Sequence, residues 1–163
     1  MIYFDSAATS FQKPSAVSEA VFSAIRDLSS PGRGGYSSAV KAADLVFDCR
    51  TELQTLFGAS SPEQVVFTSN ATHALNIAIK SLVPEGGEVV ISGWEHNAVT
   101  RPLFARRARL RIAAAPLFSP EATLDAFASC IRPGISAVIC NHVSNVFGCV
   151  QPVAAIGELC RRH

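Results

Sequence analysis

The sequence has 163 residues, 48% of them hydrophobic, and a mean hydropathy of +0.27, which is enough for one domain with a sizeable core. The formal net charge is only +1 and the charges are scattered, so the composition gives no case for a nucleic-acid partner. No apolar run approaches the roughly 20 residues of a membrane-spanning helix, and the first residues lack the pattern of a secretion signal. We therefore expect a cytoplasmic protein without a membrane partner.

Two helical patterns occupy a predicted N-terminal segment, residues 1–60. The first pattern begins near Pro14, which suits a first helical turn, and its apolar stripe runs from Val17 to Leu28. Residues 30–36, with the sequence SPGRGGY, break any helix. The second pattern predicts a helix over 40–57, and Gly58 is placed to end it.

From residue 61 onward, strand and helix patterns alternate. Strands are predicted over 65–68, 88–92, 110–114 and 136–141, and helices over 71–82, 98–108, 121–131 and 153–162. Pro102 is expected to shorten or kink the second of these helices. Alternation of this kind is typical of α/β proteins. The predicted fold is a parallel-dominated sheet with helices on both faces over 61–163, preceded by the N-terminal helical segment, whose two helices we expect to pack outside the sheet.

The five cysteines have no metal-ligand spacing, so the sequence predicts no metal site. In a cytosolic chain, cysteines with this spacing are typical of small buried hydrophobic residues. Cys140 lies in an apolar run and is expected in the core. Cys149 follows Gly148 in a predicted loop and is the one cysteine whose reactivity we would test.

The segment 67–76, FTSNATHALN, leads from the predicted strand into a helix. The free N–H groups and the positive dipole end of a helix start form a natural anion site. The main-chain N–H groups at the helix start, together with the hydroxyls of Thr68, Ser69 and Thr72, are therefore candidates to bind a phosphate. The same residue types also favour an ordinary N-capped helix, and from these ten residues both interpretations stay open.

Two further strand ends carry polar residues, at 93–97 and at 141–145. They place an imidazole, His96, and an amide, Asn145, after predicted strands. Because parallel strands end at one edge of their sheet, we expect Thr72, His96 and Asn145 to converge on one cavity. Such a set suits a phosphorylated, planar, polar ligand.

These motifs resemble those of the pyridoxal-phosphate enzymes of the class V aminotransferase group, and among them the cysteine desulfurases. The opening YFDSAATS at 3–10, the SPGRGG at 30–35 and the cradle at 67–76 follow the family order. The EHN at 95–97 and the HVSNVFG at 142–148 complete it. The resemblance covers the whole chain and implies the large-domain fold of that family, with pyridoxal 5'-phosphate as cofactor.

The resemblance also implies roles for single residues. Ala71 and Thr72 would hold the cofactor phosphate, and His96 would stack on the pyridine ring and serve as a catalytic proton carrier. Asn145 would donate to the cofactor's phenolic oxygen and help orient the substrate carboxylate. Arg33 would reach the substrate site of the neighbouring subunit in a homodimer, although it also fits a plain turn residue. His73 stands where relatives often carry Glu.

Several residues of the family pattern are not among these 163. They are the aspartate at the pyridine nitrogen, the Schiff-base lysine, the persulfide-forming cysteine and a carboxylate-binding arginine. We therefore expect a fragment of an enzyme that acts on an amino acid such as cysteine, a fragment inactive by itself. The alternative is a non-catalytic remnant or partner subunit that binds a phosphate ligand.

Overall fold

The computed structural model describes residues 2–7 and 9–163, and these divide between Phe67 and Thr68 into two compact units. The first unit contains helix α1, Ser15–Asp27, helix α2, Ser37–Phe57, and a short 3-10 helix, Pro62–Gln64. Pro14, predicted in the first helical turn, is the N-cap residue of α1 and directly precedes that turn. Gly58 ends α2 in the left-handed conformation, with φ of 66°, which a residue without a Cβ adopts at no steric cost.

The second unit contains three strands and four helices among the described residues. In chain order they are α3, Ala71–Leu82; β1, Glu88–Ser92; α4, Asn97–Ala105; β2, Arg109–Ala113; α5, Pro120–Cys130; β3, Ala137–Ile139; and α6, Val153–Arg161. The strands form one sheet in the order β2–β1–β3, and both pairings are parallel. The predicted parallel α/β fold is thus confirmed.

Helices cover both faces of this sheet because successive side chains of the central strand β1 point to opposite sides. Val89 and Ile91 pack on one side and Val90 on the other. The first side joins buried residues of α3 and α4: Ile79, Val99 and Leu103. The second side joins residues of β2, α5 and α6: Ala113, Phe127 and Ile156. Burial of these side chains is the main source of stability of the unit.

Three sequence predictions need correction. The strand predicted over 65–68 is wrong: these residues pair with no strand in the described ranges, and Val66 and Phe67 are 73% and 47% exposed. An apolar run becomes a strand only where a second strand supplies hydrogen-bonding partners. The third strand, β3, is shorter than its predicted span. Helix α4 runs through Pro102 but ends at Ala105, three residues earlier than predicted.

None of the helices in the described residues combines the length and the apolar character needed to cross a membrane.

Candidate functional site

The start of α3 leaves two main-chain N–H groups without an acceptor in their helix. The N-cap residue Asn70 accepts the N–H of His73 at its Oδ1, at 2.8 Å, and the N–H of Ala74 at its carbonyl oxygen, at 3.1 Å. The N–H groups of Ala71 and Thr72 come first in the helix and have no intrahelical acceptor. Both residues are exposed, so these donors lie within reach of an anion.

The hydroxyls before this helix are engaged with the chain itself. The Thr68 hydroxyl donates to the carbonyl oxygen of Asn70 at 2.9 Å, and Ser69 Oγ lies 3.1 Å from Nδ1 of His73. The Thr68 hydroxyl proton is thereby committed, and the Ser69 hydroxyl already has a partner. Of the three hydroxyls proposed from sequence, that of Thr72 belongs to a residue that lines a cavity.

The loop that follows β1 is organised around a buried serine and a carboxylate. Ser92, 2% exposed, donates its hydroxyl to Glu95 Oε1 at 2.5 Å and accepts the N–H of Trp94 at 3.2 Å. The same Glu95 oxygen accepts the main-chain N–H of Asn141 at 2.7 Å. One carboxylate oxygen therefore connects the loop after β1 with the loop after β3.

His96 begins helix α4 as its N-cap residue. Its ring Nδ1 accepts the main-chain N–H of Ala98 at 3.0 Å, while the side chain as a whole is exposed. The cap fixes the orientation of the imidazole and leaves its Nε2 edge available to a ligand.

The loop after β3 is folded back on itself by its own hydrogen bonds. Val143 and Val150 form an antiparallel bridge, and the buried Ser144 accepts the N–H groups of Val146 and Phe147 at 3.3 and 3.2 Å. This arrangement holds Asn145 exposed at the tip of the turn.

Two cavities meet at His96. The first, of about 370 Å³, is lined by residues of α3 and α4: Thr72, Asn76, Lys80, His96, Asn97, Ala98, Arg101, Pro102 and Ala105. The second, of about 270 Å³, lies between the loops after β1 and β3: Gly93, Trp94, Glu95, His96, Asn97, Ser144, Asn145, Val146 and Phe147. His96 thus shares one cavity with Thr72 and the other with Asn145, so neither of these cavities contains all three residues that were expected to converge on one. Arg33 belongs to the first unit.

Charge near the first cavity favours an anion. Two cationic side chains, Lys80 and Arg101, line it together with the start of α4. Directly after β3, burial and the negative charge of Glu95 raise the pKa of the Cys140 thiol to about 12. That thiol therefore stays protonated and is not a nucleophile. In residues 2–7 and 9–163, no three His, Cys, Asp or Glu side chains are grouped to hold a metal ion.

Sequence reasoning named His96 and Asn145 but missed what holds them. The Glu95 link joins residues 46 positions apart, and the rings of Trp94 and Phe147 meet edge to face at 5.4 Å between centroids. The available signal was a serine that ends an apolar strand, three residues before a glutamate.

Comparison with known proteins assigns the chain. The family model for aminotransferase class-V matches residues 2–163. A probable cysteine desulfurase of Halalkalibacterium halodurans is 33% identical over an alignment of 172 positions, which covers 100% of this chain and 42% of that protein. Cysteine desulfurase IscS of Vibrio atlanticus is 31% identical, over 98% of this chain and 41% of its own. The chain belongs to the aminotransferase class-V family.

Solved structures agree on the fold. The apo structure of a cysteine desulfurase from Thermococcus onnurineus NA1 matches with a TM-score of 0.82 at 24% identity, over 99% of this chain and 41% of that one. The cystine C-S lyase C-DES, in complex with its product cysteine persulfide, matches with a TM-score of 0.83 at 23% identity, over 99% and 43%. The chain spans about two-fifths of the length of the relatives that it matches.

Proposed function

We propose that this chain is the cofactor-binding front part of a pyridoxal-phosphate-dependent enzyme that acts on an amino acid such as cysteine. The observation that carries the proposal is the position of His96, which lines one cavity with Thr72 and a second with Asn145. Sequence relatives named as cysteine desulfurases support the choice of substrate.

The residues fit the cofactor in three respects. The unpaired N–H groups of Ala71 and Thr72 suit its phosphate, and the cations Lys80 and Arg101 add to the favourable field of the helix start. The exposed ring of His96 suits a planar aromatic partner. The amide of Asn145, held at the tip of its turn, suits a phenolic oxygen or a carboxylate.

The proposed division of labour follows from these contacts. Pyridoxal phosphate, when bound, supplies the electron sink for chemistry at the substrate's α-carbon. Ala71 and Thr72 bind its phosphate, and His96 stacks on the ring and donates a hydrogen bond from Nε2. Asn145 orients the substrate carboxylate. The edge-to-face pair of Trp94 and Phe147 places two aromatic rings in the cavity that His96 and Asn145 line.

The proposal extends to a homodimer in which Arg33 of one subunit contacts the substrate in the other. Exposed apolar side chains of the second unit are in keeping with association, among them Ile112, Phe118, Val146 and Val150. We expect dimers or larger species in light scattering at high protein concentration. A monomer under those conditions would contradict this part of the proposal.

Binding to the chain tests the cofactor site directly. Trp94 is the one tryptophan of the sequence and lines the cavity beside His96, so pyridoxal phosphate should quench its fluorescence. Thr72→Val removes a hydroxyl contact to a charged group and should weaken binding about tenfold. Inorganic phosphate should compete. The control Thr55→Val, on α2, should bind as the original chain does.

Activity requires the whole protein. Reading the gene beyond codon 163 shows whether a lysine in the family's context follows. A complete protein that carries it should convert cysteine to alanine, and the sulfur bound to the enzyme should appear as sulfide when a thiol reductant is added. If the reading frame closes at codon 163, the alternative of a phosphate-binding remnant or partner subunit takes the place of the enzyme.

A further inference from the structure

The connection between β1 and β3 continues beyond their ladder through a side chain. The last paired residues of the two strands are Ile91 and Ile139. Two residues further on, the main-chain N–H of Asn141 donates to Glu95 Oε1 at 2.7 Å, and Ser92 donates its hydroxyl to the same oxygen at 2.5 Å. The carboxylate thus satisfies a partly buried N–H that the ladder no longer reaches.

The position of this link in the sequence gives it consequences for the site. Glu95 immediately precedes His96, and Asn141 lies four residues before Asn145. The hydrogen bond that the Asn141 N–H donates to Glu95 therefore sets the separation of the two loops that present the imidazole and the amide. A charged acceptor suits this task because hydrogen bonds to a carboxylate are shorter and stronger than those between neutral groups.

We infer that Glu95 is a positioning residue, which holds the loop after β1 against the loop after β3 and so fixes His96 relative to Asn145. The importance of this for catalysis rests on the proposed function, whereas the link itself is a property of the ligand-free chain. Glu95 acts through His96, which follows it in sequence, and through Asn141, which donates to it, and it needs no contact with the cofactor. The contact of Trp94 with Phe147 provides an optical report on the same pair of loops.

The test compares three variants of the full chain without ligand. Glu95→Ala should speed hydrogen exchange of the Asn141 amide at least tenfold and shift the Trp94 emission to longer wavelength. Glu95→Gln should restore both readouts, because its carbonyl oxygen accepts the same two donors. The matched control is Glu85→Ala, which removes an exposed glutamate 3.7 Å from Arg107 in the turn before β1 and should change neither readout.

Rescue by glutamine separates a positioning role from a general loss of stability. Unchanged Asn141 exchange in Glu95→Ala, or a Glu95→Gln chain as disturbed as Glu95→Ala, would overturn the inference. If Glu95→Ala does not fold, Ser92→Ala decides. That change removes one donor to Glu95 and the acceptor of the Trp94 N–H, so an unshifted Trp94 emission would also overturn it.

The same variants then test the link to function. Glu95→Ala should bind pyridoxal phosphate about tenfold more weakly than Glu95→Gln, since His96 and Asn145 are no longer held together. Failure of the original chain to bind pyridoxal phosphate would contradict the proposed function and leave the exchange result standing. Normal binding by Glu95→Ala, with its Asn141 amide exposed, would show that the link does not position the site.

Discussion

The ring Nδ1 of His96 accepts the main-chain N–H of Ala98 at 3.0 Å, so this histidine caps helix α4 with its own imidazole. An Nδ1 that accepts carries no proton, and the neutral ring therefore holds its proton on Nε2. In this state His96 donates from Nε2.

This relationship predicts the tautomer of His96. Two-bond ¹H–¹⁵N correlation spectra of the ligand-free chain should show the Nε2–H form for His96, which is one of four histidines in the sequence. His96→Asn should remove that signal and thereby assign it. An Nδ1–H pattern for His96 would contradict the cap and restore the simpler role of a freely exchanging proton carrier.

The same cap predicts a difference in stability between two variants. His96→Ala removes the acceptor of the Ala98 N–H and should lower the free energy of unfolding by about 1 kcal/mol. His96→Asn offers an amide oxygen in a similar place and should stay within a few tenths of a kcal/mol of the original, since asparagine is a favoured N-cap residue. Denaturant titration checks both values, and equal losses would show that the cap contributes nothing.

Cys140 should resist alkylation. Burial, helped by the charge of Glu95, raises the pKa of its thiol to about 12, so at pH 8 only about one molecule in ten thousand carries the thiolate. The exposed Cys49 is the internal control and should react first with iodoacetamide. Peptide mass spectrometry over time measures both rates, and equal labelling of the two cysteines would refute the prediction.

The raised pKa of Cys140 also predicts how the stability of the folded chain depends on pH. The unfolded thiol ionises near pH 9, whereas the folded thiol does not ionise until about pH 12. The contribution of the protonated thiol to the stability of the fold is therefore complete below pH 9 and is lost as the pH rises toward 12. Cys140→Ser should therefore show a smaller decline of the melting temperature over that window than the original chain.

Glu88, at the opposite end of β1, accepts hydrogen bonds from two arginines, and these contacts predict a loss of stability at acid pH. A hydrogen bond from Arg111 on β2, with a second from Arg132 at 2.7 Å, lowers the pKa of the Glu88 carboxyl. Because the pKa is lowered, the stability that the ionised Glu88 contributes is present above its unfolded pKa of about 4.5. This stability is lost as the pH falls through the pKa of the folded state. Glu88→Gln should flatten the fall of the melting temperature below pH 4.5, and Glu85→Gln should not.

The part of the fold that the sequence predicts well is the part with local signals. The span 88–92 is predicted residue for residue, because a short apolar run between a Pro-Gly turn and polar residues leaves little choice. The strand expected over 65–68 fails, since pairing depends on a partner far along the chain. For the same reason, the periodicity of the sequence does not predict the hydrogen bond that the Asn141 N–H donates to Glu95. The sequence also does not predict which hydroxyls near α3 already form hydrogen bonds within the chain.

Two neighbouring residues of α4 test the core. Leu103 is fully buried between α3, α4 and β1, whereas Phe104 is 68% exposed. Leu103→Ala should cost about 2–5 kcal/mol of unfolding free energy through lost burial and a residual cavity. Phe104→Ala should cost well under half of that, although it removes the larger side chain. Chemical denaturation measures both, and a larger loss at Phe104 would show that this face of α4 is covered in solution.

The last prediction concerns the three lysines, Lys13, Lys41 and Lys80, none of which stands in the family's lysine context. Incubation with pyridoxal phosphate followed by borohydride reduction should leave no stoichiometric label on any of them. Lys80 is the critical case because it lines the cavity that contains Thr72 and His96. It lies eight residues after Thr72 on α3, about 12 Å along the helix axis, and its side chain is exposed. Covalent catalysis needs a nucleophile held in fixed geometry, which an exposed lysine lacks.

Peptide mass spectrometry of the reduced chain reads the outcome, with Lys80→Arg as the matched variant that keeps the charge in the cavity. Scattered low labelling that Lys80→Arg leaves unchanged is the expected result. Stoichiometric modification of Lys80, blocked by inorganic phosphate and absent in Lys80→Arg, would overturn the prediction. Lys80 would then be a residue that holds the cofactor, and the proposed roles of His96 and Asn145 would have to be reassigned.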